Sequence, residues 1–139
     1  MSAIVLDASV AVKLLSEEPD SDLAAARVAS ASLIVAPDII MIEVAHALWK
    51  KDHTTPNAAT DAQAAVAALA QMIDRLVPAD ALLPAALTLA HQLPHALYDC
   101  LYLAFGRADE VRVLTSDYKF ATSVERAGLG HEIERLGAG

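Results

Sequence analysis

Four acidic side chains stand in apolar surroundings with no adjacent Lys or Arg to balance them. Asp7 ends the run Ile4-Val5-Leu6, and Glu43 interrupts Ile39-Ile40-Met41-Ile42-Glu43-Val44-Ala45. Asp99 interrupts Ala96-Leu97-Tyr98-Asp99-Cys100-Leu101-Tyr102, and Asp117 follows Leu114-Thr115-Ser116. Burying an ionised carboxylate without a partner costs several kcal/mol even after relaxation, so such a group is protonated, paired or bound to a cation. Bringing several together sharpens the problem. Two like charges about 4 Å apart repel by roughly 4 kcal/mol at an effective dielectric near 20, and a divalent cation reverses the sign of that term. A donor set of oxygens alone, without Cys or His, points to Mg²⁺ or Mn²⁺ rather than zinc. The five histidines show no metal-ligand spacing.

Each acid also has a plainer reading. Asp7 and Asp117 follow strand-like runs, where Asp commonly caps the next helix. Glu43 lies well inside a helical stretch, where a buried pair with a distant Arg would account for it. Asp99 falls in the first turns of the helix after Pro94, where the helix dipole favours an anion. The conjunction of all four favours a shared cation.

The elements that must position these acids alternate along the chain. Strand-like Ile4–Leu6 precedes helical Ala8–Leu15, and helical Ser21–Ser30 precedes strand-like Leu33–Ala36. Helical stretches follow at Ile39–Lys51 and Ala58–Met72, with further short strands at Ile73–Val77, Val111–Leu114 and Glu132–Leu136. This alternation is the mark of an α/β chain with a mostly parallel sheet. Pro37 is expected to open the third helix and Thr55-Pro56 the fourth, with Lys51-Asp52-His53-Thr54 as the bend of an αα-hairpin between them. The helices carrying Glu43 and Asp99 are apolar nearly all round, which predicts that both are buried. Asp7 and Asp117 then sit at carboxyl ends of strands, the edge where open parallel sheets hold their ligands.

The 139 residues, 55% hydrophobic and 20% charged, suit one domain over residues 1–139. The single cysteine, Cys100, rules out a disulfide framework and reads as a small buried hydrophobe. The N-terminal residues show no basic leader or long apolar run, and no stretch approaches the roughly 20 residues that span a bilayer, so a cytoplasmic protein without a membrane partner is expected. Ten Lys and Arg against 18 Asp and Glu give a formal charge of -8. That is the reverse of the basic footprint of nucleic-acid coating, and it leaves open a nuclease whose acidic cleft is neutralised by cations or a protein that carries a basic partner.

Taken together, Ile4-Val5-Leu6-Asp7-Ala8-Ser9, Glu43 in the third helix, Leu97-Tyr98-Asp99-Cys100-Leu101-Tyr102-Leu103-Ala104 and Leu114-Thr115-Ser116-Asp117-Tyr118-Lys119-Phe120 resemble the PIN-domain ribonucleases, and among them the VapC toxins of toxin–antitoxin pairs. The resemblance spans essentially the whole chain. It implies a three-layer α/β/α sandwich with a protruding helical hairpin. It also implies an acidic pocket for Mg²⁺, or Mn²⁺ in its place, formed by Asp7, Glu43, Asp99 and Asp117, with Ser9 and Thr115 supporting it by hydrogen bonds. The activity implied is endonucleolytic hydrolysis of RNA phosphodiester bonds assisted by one or two ions, about 3.5 to 4 Å apart if two. A small cognate antitoxin and a homodimer are implied as partners, the latter in keeping with the alanine-rich fourth helix. Arg107, Arg112 and Lys119, together with Lys13 and Arg126, flank the motif segments and are expected to contact RNA phosphates. Tyr98 and Tyr102 read as core or rim packing, Trp49 as helix packing, and His46 as a hydrogen-bond partner of Glu43 three residues before it.

Other classes fit less well. A receiver domain wants its acids clustered near the first strand, and a haloacid-type phosphatase wants an acid where Ser9 stands. A catalytically silent binding module of the same fold, using the acids for stability, is the alternative the sequence leaves standing.

Overall fold

The computed structural model describes residues 2–54 and 61–137. Five short strands, β1 (Ala3–Leu6), β2 (Leu33–Pro37), β3 (Arg75–Val77), β4 (Val113–Thr115) and β5 (Ile133–Arg135), form one sheet in the order β3-β2-β1-β4-β5. Every pairing is parallel. Such a sheet needs a crossover between neighbouring strands, and the helices supply it: α1 (Ala8–Leu15), α2 (Ser21–Ala29), α3 (Ile39–Thr54), α4 (Ala62–Met72), α5 (Ala79–Gln92), α6 (Leu97–Asp109) and α7 (Tyr118–Arg126). A 3-10 turn at Gly130–Glu132 leads into β5. The chain steps outward from β1 to β2 and β3, then returns past β1 to β4 and β5. With right-handed crossovers, that reversal places α1–α4 on one face and α5–α7 on the other.

The core is built from β1 and β4, whose apolar residues are almost wholly buried, and from α6, in which Cys100 to Gly106 are all buried. This meets the expectation that the helix carrying Asp99 is apolar and enclosed. The helix carrying Glu43 differs. In α3 only Ile40, Val44 and Leu48 are buried, four residues apart on one stripe, while Ile42 is 71% exposed and Trp49 points outward. The exposed apolar residues gave α3 a buried signature that its packing does not share.

The boundaries depart from the sequence expectation in ways that have local causes. Pro37 ends β2 instead of opening α3; its missing N–H is harmless at the last residue of a strand. Lys51 to Thr54 continue α3 instead of bending, with Thr54 Oγ1 donating to the Lys50 carbonyl and Lys51 reaching Glu18 at 3.4 Å. The expected opening of the fourth helix at Thr55-Pro56 lies outside the described residues. α4 begins at Ala62, where the Asp61 carboxylate accepts the Ala64 N–H at 3.1 Å. α5 contains Pro84 on an exposed face, so the carbonyl it leaves without a helical donor can meet water.

α6 closes tightly onto β4. Glu110 adopts a left-handed conformation at φ 56°, and the N–H groups of Glu110 and Val111 both turn back to the Gly106 carbonyl. A Cβ on Gly106 would lie inside contact distance of the Val111 carbonyl oxygen, which is backbone and cannot swing aside. Gly106→Ala is therefore expected to lower stability by about 1–3 kcal/mol, read as a lower denaturant midpoint with an unchanged slope; an unchanged midpoint would contradict this packing.

Candidate functional site

The strand order reverses between β1 and β4, so the chain leaves these two neighbours in different directions and opens a crevice beyond their carboxyl ends. The register pairs Leu6 with Leu114, and the Asp7 N–H donates to the Leu114 carbonyl at 3.1 Å. Asp7 and Thr115 thus emerge side by side. Thr115 Oγ1 donates to Asp7 Oδ2 at 2.8 Å, and Ser9 Oγ donates to the same oxygen at 2.5 Å. Each hydroxyl also accepts a backbone N–H from the turn after β4: Ser9 Oγ from Ser116 and Thr115 Oγ1 from Asp117, both at 3.0 Å. Two small side chains therefore tie both strand ends to one carboxylate. Asp7 begins α1 but its side chain does not cap it, so capping is not its role.

The other acids arrive from the same edge. Asp117 heads α7 and accepts the Phe120 N–H at 3.1 Å, so its capping reading holds for one oxygen. Asp99 lies in the first turn of α6, a crossover helix whose start faces the carboxyl ends of the strands. Glu43 lies in the second turn of α3, directly after β2, and accepts the Tyr102 phenol at 2.6 Å. No Lys or Arg forms an ion pair with any of the four among the described residues, which removes the distant-Arg explanation for Glu43.

Proximity of these charges is visible in their proton affinities. Burial raises the Asp7 carboxyl above its ordinary value against the pull of its two hydroxyl donors, with Asp117 adding to the rise. Burial raises Glu43 as well, Tyr102 opposes the rise, and Asp7 adds to it. Asp99 is pushed up to about 7, first by burial and then by the fields of Asp7, Asp117 and Glu43. One acid feeling three others identifies a single cluster. Asp7, at 4% exposure, is the only buried charged residue described.

Two residues of the site escaped the sequence reading. Tyr102 is fully buried, as packing predicts, but its hydroxyl is the donor that holds Glu43. His95 places a nitrogen beside the expected oxygen donors. Its Nε2 lies 2.7 Å from Asp99 Oδ2, and donor atoms of His95, Asp99 and Asp117 all fall within 4.8 Å of one another. The available signal was the four-residue spacing from His95 to Asp99. His46, by contrast, turns outward and stacks on Trp49, with ring centroids 5.7 Å apart.

The cations expected to contact phosphate do not all rim this crevice. Arg112 precedes β4 and so lies at the opposite edge of the sheet, where its guanidinium donates to the Ile133 carbonyl at 2.6 Å. Arg107, in the last turn of α6, is held by both oxygens of Glu132 at 3.0 and 2.8 Å. These two line a separate cavity of about 410 Å³ with His131 and Glu110. Lys13 is engaged by the Pro19 carbonyl and Glu18. Lys119 lies in the first turn of α7 beside Asp117 and Arg126 in its last turn, both lining a groove on that helix with Tyr118, Thr122 and Ser123.

Comparison with known proteins agrees with this architecture. The PIN domain family model matches residues 4–123. Ribonuclease VapC1 of Mycobacterium tuberculosis is 31% identical over 136 residues, covering 96% of this chain and 98% of the relative. Among solved structures, a toxin-antitoxin complex from Klebsiella pneumoniae superposes with a TM-score of 0.67 at 16% identity, over 87% of this chain and 92% of that one. VapC20 of Mycobacterium tuberculosis, described as a Sarcin-Ricin loop cleaving toxin, superposes at 0.66 with 20% identity, over 86% and 93%. The parallel sheet with its acidic crevice at the β1–β4 reversal, and the near full-length match, place the chain in the PIN-domain family, among its VapC members.

Proposed function

We propose that the chain is a metal-dependent endoribonuclease, the toxin of a toxin–antitoxin pair. The observation that carries the reading is the convergence of Asp7, Glu43, Asp99 and Asp117 in one crevice with no Lys or Arg ion-pair partner among the described residues, burial raising the proton affinity of Asp7, Glu43 and Asp99. That donor set fits a hard divalent cation, Mg²⁺ or Mn²⁺, which would supply the missing positive charge. A divalent ion so bound lowers the pKa of an attacking water and neutralises charge on the departing oxygen.

The residues divide the remaining work. Asp7 and Asp99 are the direct ligands in this reading, Asp7 being fixed by Ser9 and Thr115 so that little ordering remains when the ion arrives. Glu43, held by Tyr102, and Asp117, held by the α7 backbone, complete the pocket and orient water. The near full-length similarity to a VapC ribonuclease supports RNA as substrate, and the toxin–antitoxin neighbour supports a small antitoxin as partner. Self-association is assigned to α4, which exposes Ala64, Ala67 and Ala68 in a face free of bulk.

Three outcomes test this. Purified chain should cleave RNA with Mg²⁺ or Mn²⁺ and stop in EDTA, and Asp7→Asn or Asp99→Asn should each reduce the rate by more than about 100-fold with the fold retained by circular dichroism; normal cleavage by both variants would dismiss the site. Without divalent ions, the melting midpoint should fall as pH rises from roughly 5 to 8. The folded state holds the Asp99 proton up to about pH 7, whereas the unfolded chain releases it near 4, so the group's contribution is full below the lower value and lost through the higher one. Millimolar Mg²⁺ should restore most at the alkaline end, and Asp99→Asn should flatten the slope; a midpoint that rises with pH would oppose the assignment. Sedimentation at micromolar concentration should show a dimer, and a monomer alone would exclude the α4 contact.

A further inference from the structure

The four acids account for oxygen donors only, and His95 brings a nitrogen into the same space. Its Nε2 is 2.7 Å from Asp99 Oδ2, and with Asp117 it completes a trio of donor atoms within 4.8 Å of one another. The ring is held from behind on two sides. It packs on Phe120, with centroids 5.3 Å apart, and its Nδ1 lies 3.4 Å from Ser123 Oγ. Phe120 is fully buried, and both supports belong to α7, the helix that Asp117 begins. One rigid element therefore carries the third donor and orients the imidazole toward it.

The hydroxyl behind the ring has a chemical consequence. A serine hydroxyl both donates and accepts, so Nδ1 keeps a partner in either tautomer. Nε2 is then able to exchange its hydrogen bond with Asp99 for a bond to a cation. A far-side hydrogen bond on the other ring nitrogen is the arrangement that orients metal-bound histidines.

We propose that His95 is a nitrogen ligand to the divalent ion bound at Asp99, on the side of the pocket that Asp117 completes, and that it makes the site favour Mn²⁺ over Mg²⁺. The inference rests on the metal-dependent reading above and adds selectivity to it. Mg²⁺ prefers oxygen donors and gives up its water reluctantly, whereas imidazole suits first-row transition ions and affinity for such donors rises along that series. An all-oxygen site would discriminate less between the two ions.

Calorimetric titration of the full chain with MnCl₂ and with MgCl₂, without RNA, provides the test, together with pulsed electron paramagnetic resonance of the Mn²⁺-loaded protein. Wild type should bind Mn²⁺ more tightly and show the nitrogen coupling of a bound imidazole. His95→Gln should remove that coupling and weaken Mn²⁺ by about tenfold or more while changing Mg²⁺ by less than about twofold. Ser123→Ala, which leaves the imidazole in place, should keep the coupling and weaken Mn²⁺ by a smaller factor; it answers the question should His95→Gln fail to fold. Mn²⁺ bound without nitrogen coupling, or equal losses for both ions in His95→Gln, would overturn the proposal and leave His95 as a hydrogen-bond donor to Asp99. Binding of neither ion by wild type would overturn the metal-dependent reading itself.

Discussion

A carboxylate removed from water demands a proton or a positive charge, and Asp7 makes that demand most strongly because it is enclosed at the centre of the sheet edge. Its two hydroxyl donors offset part of the penalty and fail to abolish it, since its proton affinity stays raised. Every neighbouring acid adds to the strain instead of relieving it. The fold therefore holds a deficit of positive charge that its own Lys and Arg side chains do not fill. Those side chains pair elsewhere: Arg27 with Glu134, Arg107 with Glu132, Arg135 with Glu125, Lys51 with Glu18. A chain with 18 acids and ten Lys or Arg has few cations to spare, and none of these pairs includes one of the four acids.

The hydrophobic core is what makes this deficit sustainable. β1 and β4 are buried along their length, and α6 is buried from Cys100 to Gly106, so the acids are carried at the ends of the most constrained elements of the molecule. A carboxylate on a flexible loop would swing away from its like-charged neighbours. Here Asp7 cannot, because Ser9 and Thr115 bind it and are themselves tied to the turn after β4. Tyr102 extends the same principle, since a fully buried ring delivers its hydroxyl to Glu43 from inside α6. Packing energy and electrostatic cost are thus placed in the same few residues.

This division explains what the sequence reveals and what it hides. β1, α1 and α2 were legible nearly to the residue because each is short, strongly patterned and flanked by polar breaks. The four acids were legible because charge in an apolar run is the rarest local pattern. α5 was not, since Pro84 interrupts its helical signature and only the tertiary setting shows that the break is tolerated on an exposed face. The burial of α3 was overestimated, because Ile42 and Trp49 look like core residues until the packing shows which stripe is covered. His95 and Tyr102 needed three dimensions. One acts across a helix start and the other across the sheet's helical layer, and no linear pattern distinguishes a phenol that packs from a phenol that packs and donates.

The same charge distribution sets the terms on which a polyanion could approach. At a net charge of -8, long-range attraction for RNA is absent, so encounter depends on local features close to the crevice. Arg107 and Arg112, which the linear sequence makes the natural choice, sit at the amino edge of the sheet with their guanidinium groups engaged. Lys119 is placed differently, in the first turn of α7, whereas Arg126 stands in the last. They line a groove on α7 with Tyr118 and Ser123, and α7 also carries Asp117 at its start and braces His95. Arg135 lies over the exposed Tyr118 ring with its guanidinium carbon 4.5 Å from the centroid, adding a cation to the same side. On the α7 side, positive groups and an exposed aromatic ring therefore adjoin the acidic centre. On the α3 side Glu43 has no ion pair with Lys or Arg among the described residues. α7 thus joins the acidic crevice to the positive groups beside it, although it is among the shortest helices in the fold.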